Sequence, residues 1–581
     1  MEREENACKL VIARVPFFRY APLMSRQSRT LLLCAWALLF TLFLGWAGLR
    51  IQAVHERNYS FFYDPVVYQL MNAARALRVE GEGRLAVAAE EWIKNMRCPL
   101  RTTPLILFAP SLLAHPTGHL ATALPALFIF LSSLGMTMYR RTISLPYSLA
   151  GIALVCAIPG LYHLNFGIAV FWLDLVAALY AAAAFLCLLN SSGARNLLAL
   201  AGFAALAGAA ALSRYIAIFY LAIGCLPILG VYLFRRWQQE KRLRSVVVPL
   251  AVIGSVFGLV AGYYLVAHLR SNLSYYTTFQ YDKNSGINAA ASFLFQSALQ
   301  YLGVPILLTL IVTFCLNLAM LYRRKENMEE LILTLAAPLA LLVFLIFFLQ
   351  PTQAMAQVVP YPLLFLLPAF LAPTSWSSPG EKLRRLVNII AVGVIVGSVG
   401  CGASNAFASL SQAGQPSESV REQKAFDIAL AKELVTQSDI VTWTTLFDEH
   451  HVIPTMEAFY DSHRFIAPVL GTFSIHEAYW RGWYPGLSPA EVAEKVYLHI
   501  SQSADLVVIL EDPSRAELLM NNVYSRVVAS EVARRMPLDS RWKRVFDLPY
   551  LHYGRVVGYR NQDASESKRV YEWMTRYMAW D

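Results

Sequence analysis

Charge is the first thing this sequence lacks. Asp, Glu, Lys and Arg make up 15% of its 581 residues, against roughly 25% in a soluble globular chain. The missing charge is replaced by apolar residues, 57% of the chain, 13% of it aromatic, and the mean hydropathy is +0.45. Cysteine is absent from the C-terminal region 411–581: the eight cysteines stand at 8, 34, 98, 156, 187, 225, 315 and 401. A disulfide framework for the C-terminal region is therefore excluded. The histidines of that region, His450, His451, His463 and His476 among them, lack a ligand spacing such as HxxxH. No Gly-rich phosphate loop follows its strand-like runs. No convincing internal repeat of paired broken helices argues for a secondary transporter.

What is present is a series of long apolar runs, and these read as membrane spans because a helix satisfies its own backbone in lipid. Eleven are expected, at 31–54, 119–139, 145–161, 167–189, 197–212, 215–234, 246–266, 293–322, 331–349, 357–371 and 386–404. Lys and Arg in short loops favour the cytoplasm. The N-terminal stretch carries Lys9, Arg14, Arg19, Arg26 and Arg29. Each even-numbered span then returns to basic residues: Arg140 and Arg141; Arg195; Arg235, Arg236, Lys241, Arg242 and Arg244; Arg323, Arg324 and Lys325; Lys382, Arg384 and Arg385. The intervening short loops 160–166 and 350–356 contain neither Lys nor Arg. The net charge of +10 is thus read as cytoplasmic anchoring, with no nucleic-acid partner. The first span is too long, and lacks the small-residue site, for a cleaved signal peptide.

The expected organisation is a cytoplasmic N-terminus over 1–30, a transmembrane module over 31–410 with a large external loop at 55–118, and an extracytoplasmic domain over 411–581. The external loop should form short surface helices, since its apolar segment 103–114 is broken by Pro104 and Pro110 and is too short to cross. In the tail, 439–446 and 505–510 read as buried strands, 544–560 as two more, and 487–500, 516–536 and 565–578 as helices. Ser488 and Pro489 supply an N-cap and first turn. This order predicts a small α/β domain. The fold class is a polytopic α-helical membrane protein with a C-terminal α/β domain.

Polar groups at membrane depth or at the outer mouth carry the functional information. Asp64 follows span one in FFYDPVVY, and Asp174 falls inside span four, about 10 Å below its outer end at 1.5 Å per residue. Arg214 separates spans five and six, against the positive-inside bias. His163 and Asn165 occupy the turn before span four, and Gln353, Gln357 and Tyr361 the start of span ten. All are assigned to one level, the external face.

Asp64-Pro65-Val66-Val67-Tyr68 with Ala73, Leu77 and Gly81 resembles the pattern after the first helix of GT-C glycosyltransferases. The branch it is most similar to uses polyprenyl-phosphate sugars and includes protein mannosyltransferases and the lipid A aminoarabinose transferase. The resemblance continues through Arg101-Thr102-Thr103-Pro104-Leu105, the helix ending Tyr139-Arg140-Arg141, Pro159 to Leu189, Leu212-Ser213-Arg214-Tyr215, and faintly Tyr361-Pro362 with Leu367-Pro368. It implies a lipid-phosphate-linked sugar as donor, with a glycan, lipid or protein as acceptor, in an inverting transfer on the outer face. It assigns catalysis to Asp64 and Asp174, the donor phosphate to Arg214 and Arg101, and the substrate pocket to Tyr68, His163, Asn165, Gln353, Gln357 and Tyr361. The chain departs from the pattern at Pro65, where a second acid is usual, and at Leu100 to Thr103, which replaces an acidic metal ligand. A divalent metal therefore lacks a clear ligand motif, with Glu90 or Glu91 as substitutes. A flippase of lipid-linked precursors and a non-catalytic assembly protein are the alternative readings.

Overall fold

The computed structural model describes residues 25–59, 63–94, 99–164, 167–170, 173–268, 287–322, 335–341, 343, 364, 367, 371, 381–446, 452–469, 486–512, 515 and 523–577. The chain divides into two compact units. One comprises Met1–Ile51, Leu120–Val266 and Asp282–Ser409; the other comprises Gln52–His119, Ala267–Tyr281 and Leu410–Asp581. The fold is that of a polytopic α-helical membrane protein carrying a C-terminal α/β domain.

In the first unit, α1 (Arg26–Asn58, shared with the second), α5 (Leu120–Thr142), α6 (Leu145–Cys156), α7 (Leu173–Leu189), α8 (Leu197–Ser213), α9 (Ala217–Glu240), α10 (Arg244–Phe257), α11 (Ile287–Leu302), α12 (Val304–Tyr322) and α13 (Glu381–Gly414, its last turn in the second) follow in order. Among the described residues five helices are long and apolar enough to cross a membrane, six if α11 and α12 count as one broken span, and α6, α7 and α8 are shorter apolar helices. Nine of the eleven expected spans thus have helical counterparts. The remaining two, 331–349 and 357–371, lie largely outside the described residues.

Two of these counterparts differ in form from the sequence reading. The run 293–322 is not one straight rod: α11 and α12 meet at 97°. Gly303 makes the bend with φ +76°, a left-handed conformation that costs glycine little, and Pro305 follows it at the start of α12. The bend is packed tightly. A Cβ on Gly303 would stand 2.9 Å from Pro159 Cγ, and one on Gly160 would stand 2.3 Å from the Tyr301 ring. The second difference is at span four, where the helix starts at Leu173 rather than Gly167. Gly167 is spent on a turn instead: its N–H donates to His163 O at 2.8 Å, and Ile168 N–H to Leu161 O at 2.9 Å.

The basic helix ends meet one another inside this unit. The Arg29 guanidinium donates to the Tyr139 hydroxyl. Arg141, buried, donates to Leu189 O at 3.3 Å. Arg195 donates to Gln239 Oε1 at 2.6 Å and Arg236 to Ala194 O at 2.5 Å. The start of α1 and the ends of α5, α7 and α9 therefore share one end of the bundle.

The second unit joins three short helices, α2 (Tyr63–Glu82), α3 (Arg84–Lys94) and α4 (Pro99–Phe108), to the C-terminal domain. None of the three qualifies as a span. They enclose a small core of Val87, Ala88, Leu105, Ile106 and Leu113. The C-terminal elements are α14 (Glu418–Thr436), β1 (Thr442–Thr445), α15 (Val452–Ser462), β2 (Ala467–Pro468), α16 (Pro489–Ser503), β3 (Leu506–Leu510), α17 (Val523–Arg535), β4 (Trp542–Pro549), β5 (Arg555–Asn561) and α18 (Ser567–Tyr577). The sheet runs β2-β1-β3-β5-β4, parallel through the first three strands and antiparallel at β3–β5 and β5–β4. Central β3 is buried at every position, as a strand covered on both faces must be. The Ser488 N-cap closes a full capping box with Glu491. Asp505 fixes the parallel register by accepting from the N–H groups of Val441 and Thr442 at 2.8 and 3.0 Å.

Candidate functional site

The clearest charged feature of the first unit joins two residues that the sequence singles out. Helix α8 ends at Ser213, and Arg214 leaves it in extended conformation, its N–H still donating to Ala210 O. The chain turns back into α9 through Ala217 N–H to Arg214 O at 3.0 Å. Helix α7, packed beside α8, begins at Leu173 and places Asp174 in its first turn. A carboxylate there is favoured by the helix dipole. Asp174 Oδ1 stands 3.5 Å from Arg214 Nε, with side-chain exposures of 2% and 14%. Asp174 therefore occupies a helix start rather than a mid-span position, and its charge is compensated by the arginine.

This pair and the basic cluster mark opposite ends of the same helix. Asp174 opens α7, and Leu189, held by Arg141, closes it. At 1.5 Å per residue the two are separated by about 22 Å.

Of the other residues assigned to this face, His163 is exposed and its carbonyl closes the Gly167 turn. Asn165, Gln353, Gln357 and Tyr361 lie outside the described residues.

In the second unit, Asp64 and Tyr68 fall one turn apart in the first half of α2; their side chains lie outside the described residues. Arg101 is 1% exposed, one of the largest fully buried side chains. Helices α2, α3 and α4 also carry a polar network in which Arg75, Arg78, Glu91 and Thr102 are buried. Arg75 Nε pairs with Glu91 Oε1 at 2.7 Å, and Thr102 Oγ1 donates to Glu91 Oε2 at 3.4 Å. Arg78 pairs with Glu82 at 2.8 Å and with Glu90, which also takes Lys94 at 2.7 Å. Burial works against the Glu90 charge, but the bonds from Lys94 and Arg78 keep its pKa below the ordinary value. Both carboxylates named as substitute metal ligands are thus engaged by cations. Among the described residues no three His, Cys, Asp or Glu gather in a metal-holding group.

The sequence reading assigned no role in the site to Arg75 or Arg78, and named Glu91 only as a substitute metal ligand. The i,i+4 spacings Arg78–Glu82 and Glu90–Lys94 were the available signals. The Arg75–Glu91 pair crosses from one helix to the next and leaves no such periodicity.

No protein-family model matches this chain, and no curated protein matches it. Solved structures do. The apo structure of ArnT from Cupriavidus metallidurans is 12% identical and covers 92% of this chain and 99% of its own, with a TM-score of 0.52. ArnT from the same organism bound to undecaprenyl phosphate gives 12%, the same coverage and a TM-score of 0.50. The chain thus has the fold of ArnT over nearly the whole of both proteins. ArnT is the lipid A aminoarabinose transferase of the GT-C superfamily, so at the level of fold the resemblance read from the sequence holds.

Proposed function

We propose that this protein is a membrane glycosyltransferase that moves a sugar from a polyprenyl-phosphate carrier to an acceptor hydroxyl on the extracytoplasmic face, with inversion. The observation that carries the reading is the end-to-end match to ArnT, one of whose structures holds undecaprenyl phosphate. The buried Asp174–Arg214 pair, at the end of α7 away from the basic cluster, supports it. Under the positive-inside rule that end faces outward.

In this reading the acceptor oxygen attacks the anomeric carbon as the bond to the carrier phosphate oxygen breaks. The electron pair leaves on polyprenyl phosphate, and the acceptor proton passes to the Asp64 carboxylate as general base. Arg214 stabilises the charge gathering on the phosphate, because a guanidinium offers two parallel donors to phosphate oxygens. Asp174 holds that guanidinium in place. The low-dielectric setting strengthens the attraction. Arg101 forms a second cationic contact to the carrier, and Tyr68, His163, Asn165, Gln353, Gln357 and Tyr361 wall the sugar and acceptor.

The test uses purified full-length protein in nanodiscs with a panel of undecaprenyl-phosphate sugars, reading release of undecaprenyl phosphate. Asp64→Asn should abolish release while donor binding persists. Arg214→Ala should weaken donor binding, and Arg214→Lys should partly restore it. Full turnover by Asp64→Asn on a donor that the wild type uses would sink the assignment.

A further inference from the structure

The C-terminal domain shares a compact unit with the helix that carries Asp64. Two of its helices, α15 and α18, pack directly against α2. Within that contact the Tyr460 hydroxyl of α15 lies 3.3 Å from Gln69 Oε1 and 3.2 Å from Ala114 O. Gln69 is 3% exposed and directly follows Tyr68. Five residues separate it from Asp64, about 7.5 Å along the helix. One phenolic proton serves both acceptors, tying the first half of α2 to the chain just after α4.

The surroundings hold Tyr460 as a donor. Burial pushes its pKa well above the ordinary phenol value, and the nearby Glu56 and Glu457 carboxylates push the same way. One turn earlier on α15, Glu457 pairs with buried Lys424 of α14. Asn58 and Tyr59 at the end of α1 donate to Ala413 O and Gln412 O at 2.9 Å each. The second half of α2 has its own anchors in the Arg75 and Arg78 ion pairs. Gln69 is a polar anchor of the first half among the described side chains.

We infer that Tyr460 is a positioning residue: through Gln69 it fixes the part of α2 that carries Asp64, making the C-terminal domain a brace for the reacting carboxylate. This rests on the reading of Asp64 as the base. A carboxylate displaced by about 1 Å loses much of its advantage, since effective molarity depends steeply on geometry.

Two full-length variants test it, each removing one side of the bond: Tyr460→Phe and Gln69→Leu. Hydrogen–deuterium exchange over 63–72 should quicken at least fivefold in both, with exchange over 489–510 unchanged. Turnover on a donor accepted by the wild type should fall about three- to tenfold, as loss of one hydrogen bond implies, with KM for the donor unchanged. The double variant should lose no more than either single one, because they share one interaction. Unchanged exchange over 63–72 overturns the proposal. So does wild-type kcat in both variants where Asp64→Asn is inactive. If Asp64→Asn is itself active, the functional reading fails, while quickened exchange still upholds the brace.

Discussion

The Asp174–Arg214 contact predicts a coupling energy that can be measured without knowing the substrate. Both groups are withdrawn from water, with side-chain exposures of 2% and 14%. Removing one partner of a buried pair leaves the other uncompensated, at about 3–5 kcal/mol. Asp174→Ala and Arg214→Ala should each approach that cost, with Asp174→Ala the milder because the arginine it leaves behind reaches some solvent. The double variant removes both charges and should recover about 2 kcal/mol of the summed loss, within the range for contacting residues. Thermal unfolding in detergent can be followed by a thiol-reactive fluorophore in a background where the other six cysteines are serine, because Cys156 and Cys225 are buried and free and react only as the bundle opens. Additive single losses, with no recovery in the double variant, would show that the charges do not interact and would remove Asp174 from the role of orienting Arg214.

Three further outcomes are expected. Alkaline phosphatase fused after Gly414 should be active, since that position is assigned to the outer side; a fusion that is active only when exported by other means would refute the topology. Gly160→Ala should cost about 1–3 kcal/mol of stability through overpacking, since its Cβ meets the Tyr301 ring, and so lower the unfolding temperature, whereas Gly230→Ala, with nothing within 4 Å, should not; equal effects would deny the tight bend. Hydrogen bonds from Arg541 and Tyr497 hold the Asp539 carboxyl below its ordinary 3.8. The stability they supply is therefore complete above about pH 4 and is lost as pH falls toward the depressed folded pKa. Asp539→Asn should flatten that acid limb in a pH series of full-length unfolding temperatures, and an unchanged limb would count against the Asp539–Arg541 pair.

Legibility in the sequence followed the range of the interaction responsible. Apolar length alone located α1, α5, α9, α10 and α13, and the capping box at Ser488 was readable because its partner, Glu491, is three residues away. The break at Gly303 was written as Gly-Val-Pro, but it was masked by apolar residues on both sides. The start of α7 was hidden in the same way, since Ile168, Ala169 and Val170 continue the hydropathy of a span without being helical. Asp174 and Arg214 stood out singly as charges out of place. That they meet is a consequence of α7 lying beside α8. The Gln69–Tyr460 bond joins residues 391 apart, and neither side chain is unusual where it occurs. Local periodicity carries no trace of such a contact.

Under the proposed function, the short helices would set this pair at the depth of a carrier phosphate. Helices α7 and α8 have 17 residues each, against 23 in α5, so along their axes they fall about 9 Å shorter. Arg141 joins the ends of α5 and α7 on the basic side, and the shortfall therefore accumulates at the other end, where Asp174 and Arg214 stand. A 17-residue helix is at the lower limit for crossing the hydrocarbon core. A charged pair set back by this amount lies near headgroup depth in the proposed orientation, where the phosphate of a lipid carrier also resides. Arg214 can then meet that phosphate without the carrier leaving the bilayer. Asp174 offsets the cost of holding the guanidinium there when no phosphate is bound.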